Sequence, residues 1–125
     1  MARVTGLGGI FYKVADPEKT RAWYREILGV GGEWGAAFPF KADDPEGFTL
    51  LTPFERQNAY FEPSEKSFMI NLRVDELDSV VRDLEAKGIA ILGRQDEDYG
   101  RFAWILDPDG VKVELWQQIG PAPAG

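Results

Sequence analysis

The chain opens with an alternation of hydrophobic and polar positions that changes to a helical period after Asp16. Residues 9–14 (GIFYKV) alternate between two faces, which is typical of a β-strand. Asp16 and Pro17 then supply a helix N-cap and a proline at the first helical position, and Gly29 supplies a stop. The helical spacing over residues 17–28 predicts one buried stripe, formed by Thr20, Trp23, Tyr24, Ile27 and Leu28.

The same pattern returns 60 positions later. Residues 68–74 (FMINLRV) predict a second strand, and residues 76–87 predict a second amphipathic helix that Asp75 caps and Gly88 ends. The apolar face of this helix is formed by Leu77, Val80, Val81 and Leu84. The chain therefore has the pattern of a diverged tandem repeat.

Short strand-like runs follow each helix, so that each unit is predicted to be β-α-β-β-β. In the second unit they are residues 89–93, 102–106 and 111–117. In the first unit the best candidates are residues 33–38 and 48–52, before a loop with a short or irregular strand over 53–67. A DPDG turn at 107–110 would set Ala103 opposite Glu114, and a shifted turn would reverse the faces, so the face of Trp104 stays open.

Length and composition narrow the functions that this repeat can have. A chain of 125 residues fits one domain, here residues 1–120 with units at about 6–62 and 66–118, and we expect residues 121–125 to be a flexible tail. With no histidine and no cysteine, the chain cannot form a zinc finger, a haem site, a Ser-His-Asp triad or a disulfide. Most common catalytic machinery is therefore excluded.

The charge balance bears on partners. A net charge of −7 opposes binding to nucleic acid or to anionic membrane surfaces, and no apolar stretch approaches the length of a membrane helix. The first residues, MARVTGLGGIFYKVA, do not form a secretory signal. We expect a cytoplasmic protein that binds neither nucleic acid nor membranes.

Two tandem β-α-β-β-β units, with the helix DPEKTRAWYREILG in the first and the hairpin FAWILDPDGVKVELWQ at the end, resemble the vicinal oxygen chelate superfamily. This superfamily includes glyoxalase I, bleomycin-resistance proteins, fosfomycin-resistance enzymes and extradiol dioxygenases. The resemblance runs from about Gly6 to Gln117. It implies an α+β fold in which the two units form a curved mixed sheet around a concave cavity, with the helices on the convex face.

The resemblance also implies where a metal ion would be held. The ligand position on the first strand falls on Gly9, its equivalent in the second unit falls on Met69, and the last-strand glutamate is present as Glu114. Tyr60 or Glu62 could lie near a fourth position. Because a divalent cation needs three or more protein donors, we expect no metal, no cofactor and no metal-dependent glyoxalase or dioxygenase activity.

The strand register assigns a second set of residues to the cavity face. The predicted ligand-binding residues are Phe11, Lys13, Trp34, Met69, Asn71, Arg73, Glu114 and Trp116. Further rings lie in or next to the cavity-forming strands, at Phe38, Tyr99, Phe102 and Trp104. A carboxylate inside a concave sheet needs a partner, which for Glu114 could be Arg73, Lys13, a ligand cation or a proton. An internal ion pair that only closes the structure is the alternative to ligand contact.

Three functions follow from these residues. The first is a metal-free protein, expected to be a homodimer, that binds a small cationic or aromatic molecule in the cavity. The second is a metal-independent lyase or isomerase in which Glu114 is the general acid or base. The third is an association module whose ring-lined face is buried against a partner.

Overall fold

The computed structural model of the protein describes residues 2–28, 31–39, 46–108 and 110–121. The side chains of Trp23, Tyr24, Ile27 and Leu28 also lie outside the description. Most of the predicted helical stripe, its stop at Gly29 and residues 122–125 of the predicted tail therefore fall outside the described residues.

The described residues form strands and helices in the order β1 (Val4–Val14), α1 (Pro17–Leu28), β2 (Ala36–Pro39), β3 (Phe48–Glu55), β4 (Phe68–Val74), α2 (Leu77–Ala86), β5 (Gly93–Glu97), β6 (Gly100–Leu106) and β7 (Lys112–Gln118). A 3₁₀ turn over Ala59–Phe61 connects β3 to β4. In the part of the chain that is described, no helix is long and apolar enough to span a membrane.

All strands join one mixed sheet in the order β2-β3-β1-β4-β7-β6-β5. The first unit comprises β1 to β3 and the second comprises β4 to β7. Within each unit the first and last strands are parallel, β1 with β3 and β4 with β7. The two units meet where β1 pairs antiparallel with β4 in the same chain. The predicted α+β fold of two units around a curved mixed sheet is confirmed.

The helix side of the second unit contains an apolar core. Leu77 and Val81 of α2 are buried against a group of sheet residues, formed by Val74, Ala103, Val113 and Leu115. Val74, Val113 and Leu115 share this face because side chains alternate along β4 and β7. Ile10 of β1 is 51% exposed.

The two helices begin differently. At α1 the carboxylate of Asp16 accepts a hydrogen bond from the Lys19 amide at 3.1 Å, as the predicted N-cap requires. The prediction that Asp75 caps α2 is wrong, because its carboxylate accepts from the Arg3 amide at 2.8 Å. The Leu77 amide at the start of α2 donates instead to Oε1 of Gln117 on β7, at 2.7 Å.

Two predicted strand positions also differ from the structure. The strand expected at 89–93 is wrong, since β5 occupies Gly93–Glu97. This strand lies at the edge of the sheet and is polar (GRQDE), so a search for apolar alternation does not find it. Among the described residues, the first unit has two strands after its helix rather than three, and the 3₁₀ turn stands where an irregular strand was predicted.

The β6–β7 hairpin settles the face of Trp104. Trp104 pairs with Glu114, whereas the predicted DPDG turn would have paired Ala103 with it. The Asp107 amide donates to the Val111 carbonyl at 2.9 Å, and Gly110 has a φ of 82°. Because Asp107 rather than Leu106 is opposite Val111, the register is shifted by one residue relative to the predicted turn. Trp104 therefore lies on the concave face.

Candidate functional site

The concave face of the sheet encloses a cavity of about 650 Å³. Of the thirteen described residues that line it, eight are aromatic; they are Phe11, Trp34, Phe48, Phe54, Tyr60, Tyr99, Phe102 and Trp116. The others are Leu50, Thr52, Asn71, Glu114 and Pro121. A cavity of this volume and lining is typical of sites for small organic molecules.

Contacts between the rings hold the cavity wall in place. The ring of Trp116 meets Phe48 edge-on at a centroid distance of 5.0 Å and lies parallel to Phe102, with 5° between the planes. Phe54 and Tyr60 also stack, with their ring centroids 5.6 Å apart. Aromatic pairs at these separations add to the stability that burial provides, so the wall is formed before any ligand binds.

Glu114 of β7 lies at the floor of this cavity and is 2% exposed. Its carboxylate accepts three hydrogen bonds: from the hydroxyl of Tyr60, from Nδ2 of Asn71 at 2.5 Å and from Nε1 of Trp104 at 2.8 Å. The register explains two of these contacts, because Asn71 and Trp104 are the cross-strand partners of Glu114 on β4 and β6. Tyr60 reaches the carboxylate from the 3₁₀ turn.

Burial sets the electrostatics of this group. Removal from water raises the pKa of Glu114, and the three hydrogen bonds, together with the charge of Lys112, oppose that rise. Burial and the neighbouring Glu114 also hold the pKa of the Tyr60 hydroxyl well above its usual range. The phenol is therefore a donor to the carboxylate.

Lys112, which lies on β7 with Glu114, also contacts Tyr60. Its Nζ donates to the main-chain oxygen of Tyr60 at 2.5 Å and lies 5.0 Å from the centre of that ring and 5.3 Å from the ring of Trp104. Burial lowers the pKa of this amine. Tyr60 is therefore held at its hydroxyl and at its backbone by two side chains of β7.

The structure brings five of the eight predicted ligand-binding residues to the cavity lining: Phe11, Trp34, Asn71, Glu114 and Trp116. The other three lie outside it. Met69 is 1% exposed and packs with Phe11 and Phe61. Lys13 lies 5.3 Å from the Phe61 ring centre, and Arg73 is buried with its guanidinium 5.1 Å from the ring of Trp116.

The expected ionic partner of Glu114 is replaced by neutral ones. Within the described part of the chain, its hydrogen bonds come from a phenol, an amide and an indole rather than from Arg73 or Lys13. The Nη1 atom of Arg73 instead donates to the main-chain oxygen of Phe48 at 3.4 Å.

Sequence reasoning missed one whole wall of the cavity. Strand β3 contributes four lining residues, Phe48, Leu50, Thr52 and Phe54. They alternate along FTLLTPF and therefore share one face, a signal that was available in the sequence. Tyr60 was considered as a neighbour of a fourth metal ligand, but its contact with Glu114 depends on the 3₁₀ turn.

The residues at the superfamily's metal positions do not fit a divalent cation. Gly9 offers no side chain, the Met69 thioether is packed against Phe11 and Phe61, and the Glu114 carboxylate is engaged by three donors. The described residues contain no cluster of three or more acidic, histidine or cysteine side chains that could hold a metal. One carboxylate is too few for such a site.

Comparison with known proteins identifies the family. The model of the Glyoxalase/Bleomycin resistance protein/Dioxygenase superfamily matches residues 6–115. The chain belongs to this superfamily. The resemblance drawn from the repeat is therefore confirmed. No curated protein matches this superfamily member significantly.

Solved structures share the same fold. Methylmalonyl-CoA epimerase from Streptomyces coelicolor, in complex with 2-nitronate-propionyl-CoA, superposes with a TM-score of 0.70 at 19% identity, covering 94% of this chain and 100% of that one. The Mycobacterium tuberculosis methylmalonyl-CoA epimerase gives 0.63 at 21%, covering 96% and 90%. A Legionella pneumophila NAD-dependent benzaldehyde dehydrogenase structure gives 0.59 at 19%, covering 89% and 98%. At these identities the likeness concerns the fold.

Proposed function

We propose that this superfamily member binds a small, ring-containing organic molecule in the concave cavity, without a metal ion. The observation that carries the proposal is the cavity itself, about 650 Å³ in volume and lined mainly by aromatic side chains. Sites that are concave, mostly apolar and supplied with a few polar groups are the usual places for small-molecule binding.

The polar groups of the cavity are few and placed at its floor. Thr52 and Asn71 contribute a hydroxyl and an amide respectively, and Glu114 contributes a carboxylate to the described lining. A flat ring can pack against Phe102 and Trp116, while its polar substituent faces this floor. A positively charged substituent would gain from the aromatic faces and from Glu114.

An exposed ring in the lining is available for contact with a small ligand. Tyr99 lines the cavity and is 63% exposed, and Pro121 also belongs to the lining. The third function, an association module with its ring-lined face buried, would require a partner surface that enters the concave face. A small molecule fits the opening without that requirement.

A titration with flat aromatic probes tests the proposal. Naphthalene, 2-naphthol, 2-naphthoate and 2-naphthylamine would be added to the protein while the tryptophan fluorescence is followed, because Trp34 and Trp116 line the cavity. We expect saturable binding of at least one probe, and a loss of affinity of about tenfold in Phe102→Ala.

Phe68→Ala is the matched control, since Phe68 is an exposed aromatic residue of β4 outside the cavity lining. Its affinities should equal those of the wild type. Absence of saturable binding by every probe, or equal losses in the two variants, would contradict the proposal.

A second candidate is a proton-transfer enzyme in which Glu114 is the acid or base. Its support is the buried carboxylate with a raised pKa at the cavity floor, together with the fold shared with methylmalonyl-CoA epimerases. The test is exchange of substrate protons for solvent deuterium, with methylmalonyl-CoA as the first substrate. Glu114→Gln should abolish any exchange that the wild type shows, and exchange that survives this change would exclude the role. A homodimer in the cytoplasm stays a prediction.

A further inference from the structure

We infer that Tyr60, Asn71 and Trp104 form a donor cage that takes the place of a metal ion at Glu114, and that Gly8 is the residue that admits this cage. The inference concerns how the cavity floor is built. It holds or fails whether or not a ligand binds, and whichever of the two candidate functions is correct.

The donor cage surrounds the carboxylate from three parts of the fold. The hydroxyl of Tyr60 comes from the 3₁₀ turn, Nδ2 of Asn71 from β4 and Nε1 of Trp104 from β6. Hydrogen bonds to an ionised carboxylate are stronger than those between neutral groups. Three such bonds satisfy a buried anion in the way that a cation otherwise would.

Asn71 can reach Glu114 because β1 has no side chain at Gly8. A Cβ atom there would lie 1.6 Å from Oδ1 of Asn71 and 3.1 Å from Cε3 of Trp116. The pairing of β1 with β4 shifts in register between Leu7 and Gly9, which places Gly8 at an irregularity facing the amide. By contrast, a Cβ at Gly6 of the same strand would meet nothing within 4 Å.

The orientation of the Asn71 amide also follows from the carboxylate. Its Nδ2 donates to Glu114, which leaves Oδ1 buried near Gly8 without a hydrogen-bond partner among the described residues. A buried carbonyl oxygen without a partner is unfavourable. The hydrogen bond from Nδ2 to Glu114 therefore offsets the cost of the unpaired oxygen and fixes the orientation of the amide.

The donor cage has a consequence for the cavity wall. Tyr60 belongs to the lining, and its hydroxyl and main-chain oxygen are held by Glu114 and Lys112 respectively. Glu114 is thus a positioning residue for the wall. The titratable and charged groups that face it are Tyr60 on the turn, Tyr99 at the β5–β6 turn and Lys112 on β7, and Arg73 lies two residues beyond Asn71 on β4.

The first experiment measures metal binding by the full chain. After treatment with a chelator, the protein is dialysed against micromolar Zn²⁺, Ni²⁺ or Mn²⁺ and its metal content is determined. We expect no stoichiometric uptake by the wild type. Uptake of one ion per chain that Glu114→Gln abolishes would overturn the inference.

The second experiment follows the Glu114 carboxyl by ¹³C NMR during a pH titration, with Glu114→Gln to assign the signal. Tyr60→Phe and Asn71→Leu each remove a donor and should raise the titration midpoint, and Gly8→Ala should behave like Asn71→Leu. Gly6→Ala is the control and should titrate like the wild type. If Gly8→Ala does not fold, the two donor variants still decide the outcome.

Unchanged midpoints in both donor variants would overturn the inference. Neither measurement uses an organic ligand, so this failure can be told apart from failure of the proposed binding function. If the midpoints shift as expected but no aromatic probe binds, only the proposed binding function is contradicted.

Discussion

Strands β1 and β4 occupy equivalent positions in the two units and are neighbours in the sheet, yet they contribute different side chains to the cavity. Strand β4 carries three buried side chains at alternate positions, Met69, Asn71 and Arg73, whereas β1 has glycines at positions 8 and 9 before Phe11. Asn71 fills the space that a side chain at Gly8 would need. The second unit thus contributes the polar side chain of Asn71, because the first unit leaves space for it at Gly8.

The convex faces of the two units differ as well. Leu77 of α2 is 0% exposed within a cluster of six buried residues, whereas Ile10 on β1 is 51% exposed. Since apolar burial is the main favourable term in folding, Leu77 should contribute more to stability than Ile10. The following changes test both halves of this comparison.

The largest effect is expected in the core of the second unit. Leu77→Ala should lower the free energy of unfolding by about 3 kcal/mol, because it removes a fully buried side chain and leaves a cavity. Ile10→Ala in the first unit should cost about 1 kcal/mol or less, since half of that side chain is already in water. Urea denaturation measures both, and equal losses would contradict the difference in burial between Leu77 and Ile10.

Gly8→Ala should come next, with a loss of about 2 kcal/mol, because the added methyl group forces Asn71 and Trp116 to move. Gly6→Ala should stay within about 0.5 kcal/mol of the wild type, as the space around it is open. Thermal unfolding of the two variants makes the comparison. A Gly8→Ala variant as stable as Gly6→Ala would mean that the positions of Asn71 and Trp116 do not require a glycine at position 8.

The pH dependence of stability isolates Glu114. Burial raises its pKa above the ordinary 4.5, so the folded chain binds this proton more tightly than the unfolded chain does. The contribution of Glu114 to the free energy of unfolding is therefore complete below pH 4.5 and falls as pH rises through the folded pKa, by at most about 1.4 kcal/mol per pH unit.

Glu114→Gln should remove this slope. Urea denaturation of both proteins at several pH values gives the difference curve, in which other carboxylates such as Asp75 and Asp78 cancel. Parallel curves for wild type and variant would contradict the raised pKa.

The smallest effect concerns the helix starts. Asp16→Ala should cost about 1 kcal/mol, because the Asp16 carboxylate caps α1 through the Lys19 amide. Glu76→Ala at the equivalent place on α2 should cost much less, since that side chain makes no capping hydrogen bond. Differential scanning calorimetry can resolve the two, and a reversed order would indicate that Gln117 does not replace the cap of α2.

Much of the fold could be predicted from local patterns. The alternation of FMINLRV, the helical spacing of Leu77 and Val81, and the cap at Asp16 are properties of neighbouring residues, and the structure confirms them. The edge strand β5 was misplaced because its residues are polar and its position depends on pairing with β6. The hairpin register stayed open at the sequence level because a shift of a single residue in the loop reverses every face.

Three features can be read from the sequence alone. They are the repeat, the absence of histidine and cysteine, and a carboxylate on the face predicted to line the cavity. Only the tertiary structure decided how that carboxylate is satisfied. Tyr60, Asn71 and Trp104 are 54, 43 and 10 residues away from Glu114, and they meet it because a turn and two cross-strand registers bring them together. Local spacing fixes which way a side chain faces, whereas the sheet fixes which distant side chain it meets.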